Sequence, residues 1–293
     1  MPYLSVDGTR LYYDEQGAGP PLLLIHGLGS SSRDWFKQVD HFADRYRVLR
    51  VDLRGHGRSE RPPGPYHIAQ FARDVAVCLR RLDAAPAHVV GLSMGGMVAL
   101  QLAADAPPLV RSLVVANSVA DTRLQTWGDL WFYVSRRLSV QLLGMRRVGR
   151  LLAGRLFPKP DQDSLRREFI KRWAQNDKQA YVGSVDAIMG WSVRDRLPSI
   201  AVPTLLVSSD QDYTPVAAKN RIAARMPNAE LAVVEDARHA LPVEKPDAFN
   251  ALVADFLRRV DRPDAAQADA SEVVRPVAEE VSAGGPAATQ EAE

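Results

Sequence analysis

The first part of the chain alternates apolar and polar residues, over positions 3–6 and 9–14, on either side of Asp7-Gly8. This alternation around a turn dipeptide predicts a β-hairpin. Further along, short runs are apolar almost throughout, as expected for strands that are buried on both faces of a sheet. These runs lie at positions 21–25, 46–51, 88–92, 113–116, 204–208 and 230–234. Together with the hairpin, they predict an eight-stranded sheet.

Between most of these runs, apolar residues recur at the spacing of one helix face, which indicates helices that pack on the sheet. The helical stretches lie at positions 68–82, 94–104, 216–225 and 246–260. Strands that alternate with helices are typical of a mostly parallel sheet with helices on both faces. The predicted fold class is therefore α/β.

The alternation stops between positions 122 and 196, where the pattern is helical and no strand is indicated. About seventy residues are too many for a plain connection between two strands of one sheet, so we predict a helical lid inserted after the sixth strand. The α/β core then comprises residues 1–121 and 197–260, and the cap comprises residues 122–196.

Charge is unevenly distributed along the chain, although the formal net charge is only +2. Residues 123–172 carry twelve Lys and Arg against four acidic residues, and positions 136–156 have the pattern of a basic amphipathic helix. We expect a solvated basic lid face with its apolar side on the core, in preference to peripheral contact with anionic membrane lipids. The apolar side consists of Leu138, Leu142, Leu143, Leu151 and Leu152.

The end of the chain has the opposite charge. Residues 261–293 contain eight acidic residues, two arginines and no aromatic residue. Such a segment buries too little apolar surface to order itself, which predicts a disordered acidic C-terminal tail.

The composition is that of a globular protein, with 46% hydrophobic and 25% charged residues. No apolar run reaches the roughly 18 residues of a membrane-spanning helix and no secretory leader is visible, so we expect a cytoplasmic protein. The single cysteine, Cys78, excludes an intramolecular disulfide, and we expect it to pack inside a helix. Basic patches are not interleaved with stacking aromatic residues, so no nucleic-acid partner is expected.

One serine stands between a predicted buried strand and a predicted helix, in the sequence Gly91-Leu92-Ser93-Met94-Gly95. A Gly-x-Ser-x-Gly turn in this position is a nucleophile elbow, whose small neighbours tolerate the sharp turn that exposes the serine. The N-terminus of the following helix favours negative charge that develops beside it. Ser93 is therefore the predicted catalytic nucleophile.

A serine nucleophile needs a base and a group that orients the base. His239 follows the last predicted strand and is the candidate base. Asp212 follows the fifth apolar run and is the candidate orienting acid, with Asp210 and Asp121 as its competitors. The chain order Ser93, Asp212, His239 is the one expected when such an elbow lies on a parallel sheet.

Acyl transfer also needs two N–H donors for the developing oxyanion. The backbone N–H of Met94 directly follows the nucleophile, and that of Leu28 lies in a loop of small residues after His26-Gly27. We predict these two donors for the oxyanion hole, and we expect His26 to pack beneath the loop. No cluster of His, Cys and Asp has metal-ligand spacing and there is no glycine-rich phosphate loop, so neither a metal nor a cofactor is expected.

These motifs, together with the segment from Asp52 to Ser59 (Asp-Leu-Arg-Gly-His-Gly-Arg-Ser), resemble those of the α/β-hydrolase superfamily over most of the chain. The resemblance implies the α/β-hydrolase fold, and it implies that Arg54 and His56 are structural. Haloalkane dehalogenases and epoxide hydrolases of this superfamily carry aspartate at the elbow, so Ser93 argues against both. Within the superfamily the chain is similar to lid-bearing carboxylesterases and to enol-lactone hydrolases such as 3-oxoadipate enol-lactonase.

The predicted function is that of a serine hydrolase that cleaves a carboxylic ester, thioester or lactone of a small, fairly hydrophobic substrate through an acyl-enzyme. The apolar segment at 130–134 is expected to line the acyl pocket or the pocket mouth, and the lid arginines leave room for a substrate carboxylate. Two alternatives use the same triad, namely cofactor-free haloperoxidase (perhydrolase) chemistry and hydrolysis of a C–C bond. An inactive receptor or scaffold on this fold is an alternative of another class.

Overall fold

The computed structural model describes residues 2–262. The predicted acidic tail, residues 261–293, lies outside the described residues except for its first two positions, so its disorder stays a prediction.

Eight strands form one sheet in the order β1-β2-β4-β3-β5-β6-β7-β8. The strands β1 and β2 form the antiparallel hairpin, β2 is antiparallel to β4, and the remaining neighbours are parallel. This arrangement confirms the predicted eight-stranded, mostly parallel sheet. The strands are β1 (Tyr3–Val6), β2 (Thr9–Gln16), β3 (Pro21–Ile25), β4 (Arg47–Val51), β5 (Ala87–Leu92), β6 (Val110–Ala116), β7 (Thr204–Ser209) and β8 (Ala229–Val234).

Helices cover both faces of this sheet. They are α1 (Phe36–Phe42), α2 (Ile68–Arg81), α3 (Met94–Asp105), α4 (Trp127–Leu156), α5 (Asp163–Trp173), α6 (Lys178–Ile188), α7 (Val216–Ala223), α8 (Leu241–Glu244) and α9 (Pro246–Asp261). Because successive strand residues point to opposite faces, Leu23 and Ile25 of β3 belong to the core that includes α2, α3 and α7, whereas Leu22 and Leu24 belong to the core that includes α1 and α9. Cys78 is buried on the α2 side, and burial raises the pKa of its thiol to about 12.

The helices α4, α5 and α6 lie between β6 and β7. Thr126 caps the start of α4 by accepting a hydrogen bond from the backbone N–H of Asp129, and Gly144, with φ of 74°, interrupts the helix. An isolated bridge between Asp121 and Ser192 joins the two ends of this insertion. The three helices share a small core of their own, formed by Val140, Met145, Val148, Trp173, Tyr181, Val182 and Val185. We propose that they form a lid, with the division from the core at residues 122 and 196.

The leucines of α4 that were expected to pack on the core are mostly exposed. Only Leu152 of the five predicted core-facing leucines is half-buried, and the other four are exposed. The inward positions are taken instead by Val140, Met145 and Val148. The expected packing of the leucine side on the core is therefore wrong, because an amphipathic pattern does not itself say which side meets the protein. The exposed leucines are Leu138, Leu142, Leu143 and Leu151.

Over residues 2–262, none of the helices combines the length and the apolar character needed to cross a membrane.

Candidate active site

Ser93 occupies the sharp turn between β5 and α3. Its backbone lies at φ 55° and ψ −118°, a left-handed conformation that is strained for a residue with a side chain. The flanking glycines make the turn possible, because a Cβ at Gly91 would collide with the carbonyl of Gly95, and a Cβ at Gly95 would collide with the carbonyl of Ile25. The Ser93 N–H donates to the Ala116 carbonyl at 2.9 Å, which ties the turn to β6.

The candidate base and its orienting acid meet at the same edge of the sheet. His239 follows β8, and its Nδ1 lies 2.8 Å from Oδ1 of Asp212, which is on the loop after β7. Asp210 turns elsewhere and accepts a hydrogen bond from the Ala237 N–H at 3.0 Å. Asp121 is ion-paired with Arg123 at 2.7 Å. The structure therefore brings Asp212, and neither competitor, to the imidazole.

The side chain of Asp212 is fully buried, and its second oxygen is also satisfied. Lys219, only 1% exposed in its side chain, donates from Nζ to Oδ2 at 2.9 Å, and the Thr214 hydroxyl donates to the same oxygen. Burial favours the neutral acid, but the hydrogen bonds from His239 and Thr214 and the charge of Lys219 outweigh it, so the pKa of Asp212 lies below its ordinary value. Burial in turn lowers the pKa of Lys219, although the carboxylate opposes this shift.

A tyrosine hydroxyl occupies the other side of the imidazole. Tyr213 Oη lies 2.6 Å from Nε2 of His239, and the two ring centroids are 4.1 Å apart. Tyr213 therefore holds the position at the base that the nucleophile itself must take for proton transfer.

The loop after β3 runs beside the nucleophile. Gly27 comes so close that a Cβ added there would lie 3.4 Å from Cβ of Ser93, and Leu28 and Met97 line the same cavity as Ser93. His26 is buried beneath this loop, where Nε2 accepts from the Leu53 N–H at 3.1 Å and Nδ1 lies 2.8 Å from the Gly27 carbonyl. Burial lowers the pKa of His26 and keeps the ring neutral, in keeping with a packing role.

The segment from Asp52 to Ser59 supports that loop from below. Asp52 accepts hydrogen bonds from the backbone N–H groups of Ser32 at 2.7 Å and Arg58 at 2.8 Å. Arg54 forms a buried two-point ion pair with Asp74 at 2.5 and 2.6 Å. Burial, together with the neighbouring His26, lowers the pKa of His56 to about 3. These contacts hold the loop in place, and they lie away from Ser93.

An open cavity of about 470 Å³ extends from Ser93 and His239 to the lid. Its surface is mainly apolar, with walls that include Phe132, Tyr133, Phe157, Phe169, Trp173 and Val243. Of the predicted lining segment 130–134, Phe132 and Tyr133 reach the cavity, whereas Trp131 and Val134 face solvent. Such a cavity suits a small ligand with a large apolar part.

Two arginines line this cavity, and only one of them is paired with carboxylates within residues 2–262. Arg172 is ion-paired with Asp34 at 2.7 Å and with Glu168 at 2.8 Å. Arg136 donates from Nε to the Tyr181 hydroxyl at 2.7 Å, and no carboxylate pairs with it among residues 2–262. Arg136 is therefore the cation of the cavity that can take a ligand's negative charge. The same part of the chain contains no cluster of three or more His, Cys, Asp or Glu that could hold a metal ion.

Comparison with known proteins assigns the chain to a family. The α/β hydrolase fold family model matches residues 20–246. The chain belongs to the α/β-hydrolase family. It is 32% identical to the putative carbamate hydrolase RutD of Azorhizobium caulinodans, over 89% of this chain and 100% of that protein. It is 31% identical to 3-oxoadipate enol-lactonase 2 of Acinetobacter baylyi, over 87% of this chain and 96% of that protein.

A solved structure agrees with these relatives. The enol-lactonase from Burkholderia xenovorans LB400 is 31% identical, with a TM-score of 0.80, over 88% of this chain and 100% of that one. The α/β-hydrolase resemblance drawn from the motifs is thus confirmed, and the relatives support hydrolase activity on this fold.

Two residues at the site of this α/β-hydrolase are absent from the sequence predictions. Lys219 lies on the buried side of α7, at a position where the helical pattern calls for an apolar residue. A lysine at such a position was the one signal in the sequence that it has a buried partner. Tyr213 adjoins Asp212 in the chain, but only the folded loop shows that its hydroxyl meets His239.

Proposed function

We propose that this α/β-hydrolase cleaves a carboxylic ester or lactone of a small, largely apolar substrate through an acyl-enzyme on Ser93. One observation carries the proposal. The strained Ser93 elbow and the His239–Asp212 pair, joined at 2.8 Å, border the same apolar cavity at the carboxyl edge of the sheet. This chain order of serine, carboxylate and histidine is that of an acyl-transfer triad, in which the buried carboxylate stabilises the imidazolium that forms.

The reaction starts with attack of Ser93 Oγ on the substrate carbonyl while Nε2 of His239 takes the hydroxyl proton. Asp212 holds the imidazole through Nδ1 and balances the positive charge that forms on it. The backbone N–H groups of Leu28 and Met94 stabilise the oxyanion, each to the extent of about 3 kcal/mol. His239 then returns the proton to the leaving oxygen, and a water molecule releases the acyl group by the same steps.

Proton transfer from Ser93 requires that the Tyr213 hydroxyl give up Nε2 of His239. Tyr213 lines the cavity, and its side chain turns away from the base when a substrate enters. The leaving oxygen of the substrate then takes the place of the phenol oxygen beside the base. Tyr213 therefore borders the leaving-group side of the site.

The lid supplies most of the substrate contacts, because Phe132, Tyr133, Phe157 and Trp173 all come from the insertion between β6 and β7. Their apolar surfaces favour an acyl part without charge near the reacting carbonyl. Arg136, which has no carboxylate partner within residues 2–262, favours substrates that carry an acidic group. The enol-lactonases among the relatives are consistent with a lactone substrate.

The experiment is a panel of p-nitrophenyl esters and lactones of varied chain length, each with and without a carboxylate, measured on wild type, Ser93→Ala and Ser30→Ala. Ser30 lines the same cavity and serves as the matched control. We expect turnover by wild type and Ser30→Ala, and loss of at least about 10³-fold in Ser93→Ala. Turnover only of peroxide with bromide, or only of ring-fission diketones, would contradict ester hydrolysis and favour one of the two alternative reactions.

A further inference from the structure

The first half of α4 exposes an apolar stripe. Its members are spaced four, three, four and four residues apart, so they lie on one face of the helix. Trp127 is 86% exposed, Trp131 is 67% exposed and Leu142 is 71% exposed. Soluble proteins rarely leave so continuous an apolar face uncovered without a function for it. The stripe consists of Trp127, Trp131, Val134, Leu138 and Leu142.

The second half of α4, beyond the interruption at Gly144, exposes positive charge. The arginines of this basic half take part in no ion pair within residues 2–262, and Leu151 lies exposed among them. The one acidic residue of the helix, Asp129, is engaged at the N-cap. The exposed surface of α4 is therefore apolar and aromatic before Gly144 and positive after it. The exposed arginines are Arg146, Arg147, Arg150 and Arg155.

The charge decides between the possible occupants of this surface. A second copy of the chain would bring the same arginines against it, and like charges repel at short range. An anionic bilayer complements both halves, because tryptophan and leucine side chains favour the headgroup boundary and arginines pair with lipid phosphates. We propose that the outer face of α4 docks this protein on an anionic lipid surface.

The opposite side of the same helix makes the docking relevant to the site. Phe132, Tyr133, Arg136 and Leu152 of α4 line the cavity above Ser93. A helix held at the lipid boundary therefore brings the lid wall of the cavity next to that boundary. The docking itself is independent of the reaction that the site catalyses, and its test uses binding as the readout.

The experiment is sedimentation of the full chain with vesicles of phosphatidylcholine alone or mixed with phosphatidylglycerol. One variant is the pair Trp127→Ser and Trp131→Ser, and the other is the triple Arg146→Gln, Arg147→Gln and Arg150→Gln. None of these side chains lines the cavity. The matched control is the triple Arg73→Gln, Arg221→Gln and Arg225→Gln, which removes three exposed arginines from α2 and from α7 and the turn after it.

We expect wild type and the control triple to bind the anionic vesicles, to bind the neutral ones weakly and to lose binding as salt rises. One arginine near such a surface contributes about five-fold to partitioning, so the triple on α4 is expected to weaken binding on the order of 100-fold. The tryptophan pair is expected to abolish the blue shift of tryptophan fluorescence that insertion causes. Unfolding midpoints near that of wild type show that the variants are folded.

Three results would overturn the proposal. The first is no binding of wild type to either vesicle. The second is equal loss of binding in the control triple, which would mean that binding depends on the net charge of the protein and not on the arginines of α4. The third is a wild-type dimer in light scattering that the tryptophan pair converts to a monomer, which would make the stripe an interface between copies.

Discussion

Replacing Lys219 with methionine removes the cation that pairs with Asp212 and keeps a side chain of similar length. Both side chains are buried, at 1% and 0% exposure, and Nζ lies 2.9 Å from Oδ2. The change leaves a buried carboxylate with His239 and the Thr214 hydroxyl as its remaining partners. Breaking one side of a buried ion pair costs about 3–5 kcal/mol, so we expect a loss of that size in the free energy of unfolding.

The pH dependence of this loss follows from Asp212. Its pKa is lowered in the folded protein, so the stability it contributes is present above its unfolded value and is lost as pH falls through the folded value. Without Lys219 the folded pKa rises, because burial is then less opposed. The difference between wild type and Lys219→Met should therefore be largest near neutral pH and shrink below about pH 4.

The assay is urea unfolding followed by tryptophan fluorescence at several pH values, on wild type, Lys219→Met and Lys37→Met. Lys37 is exposed on α1, so its replacement is expected to change the free energy of unfolding by less than about 0.5 kcal/mol. A Lys219→Met protein that unfolds like Lys37→Met, or a difference that does not shrink in acid, would contradict a stabilising role of the Lys219–Asp212 pair.

Three further predictions concern the tyrosine, the unpaired arginine and the structural ion pair. Tyr213→Phe should leave kcat/KM for p-nitrophenyl acetate unchanged or raise it up to about five-fold, because the variant lacks the competing hydrogen bond to His239. A large decrease in kcat/KM would mean that the hydroxyl takes part in the chemistry. Arg136→Leu should raise KM at least about ten-fold for a carboxylate-bearing lactone and leave KM for its neutral methyl ester unchanged, and an equal rise for both would argue against charge recognition. Asp74→Asn should cost about 3–5 kcal/mol in urea unfolding, since it leaves Arg54 buried and unpaired, and near-wild-type stability would contradict that role.

The sheet could be predicted from the sequence because parallel strands buried on both faces are short apolar runs with polar ends. All six such runs overlap strands of the structure, and the hairpin overlaps the first two. The elbow at Ser93 was equally readable, since its glycines are needed where a Cβ would strike neighbouring backbone. The helix α1 was not predicted, because its seven residues show too little periodicity to stand out.

The rest of the site depends on contacts that distant parts of the chain make. Asp212 and His239 could be placed by chain order, but the pairing of Lys219 with Asp212 and of Tyr213 with His239 exists only once the loops pack together. The lid shows the same limit in another form. Its helical character was predicted correctly, but its leucine side was wrongly expected to meet the core. That position is taken by Val140, Met145 and Val148, and Gly144 interrupts the helix.

In the proposed reaction, Ser93 forms an acyl-enzyme. Stopped-flow mixing with a p-nitrophenyl ester, combined with mass spectrometry of the quenched protein, measures that intermediate directly. We expect a burst of about one p-nitrophenolate per chain and an acyl adduct on the peptide that contains Ser93, both lost in Ser93→Ala. Steady turnover without an adduct, or a burst that survives in Ser93→Ala, would contradict it.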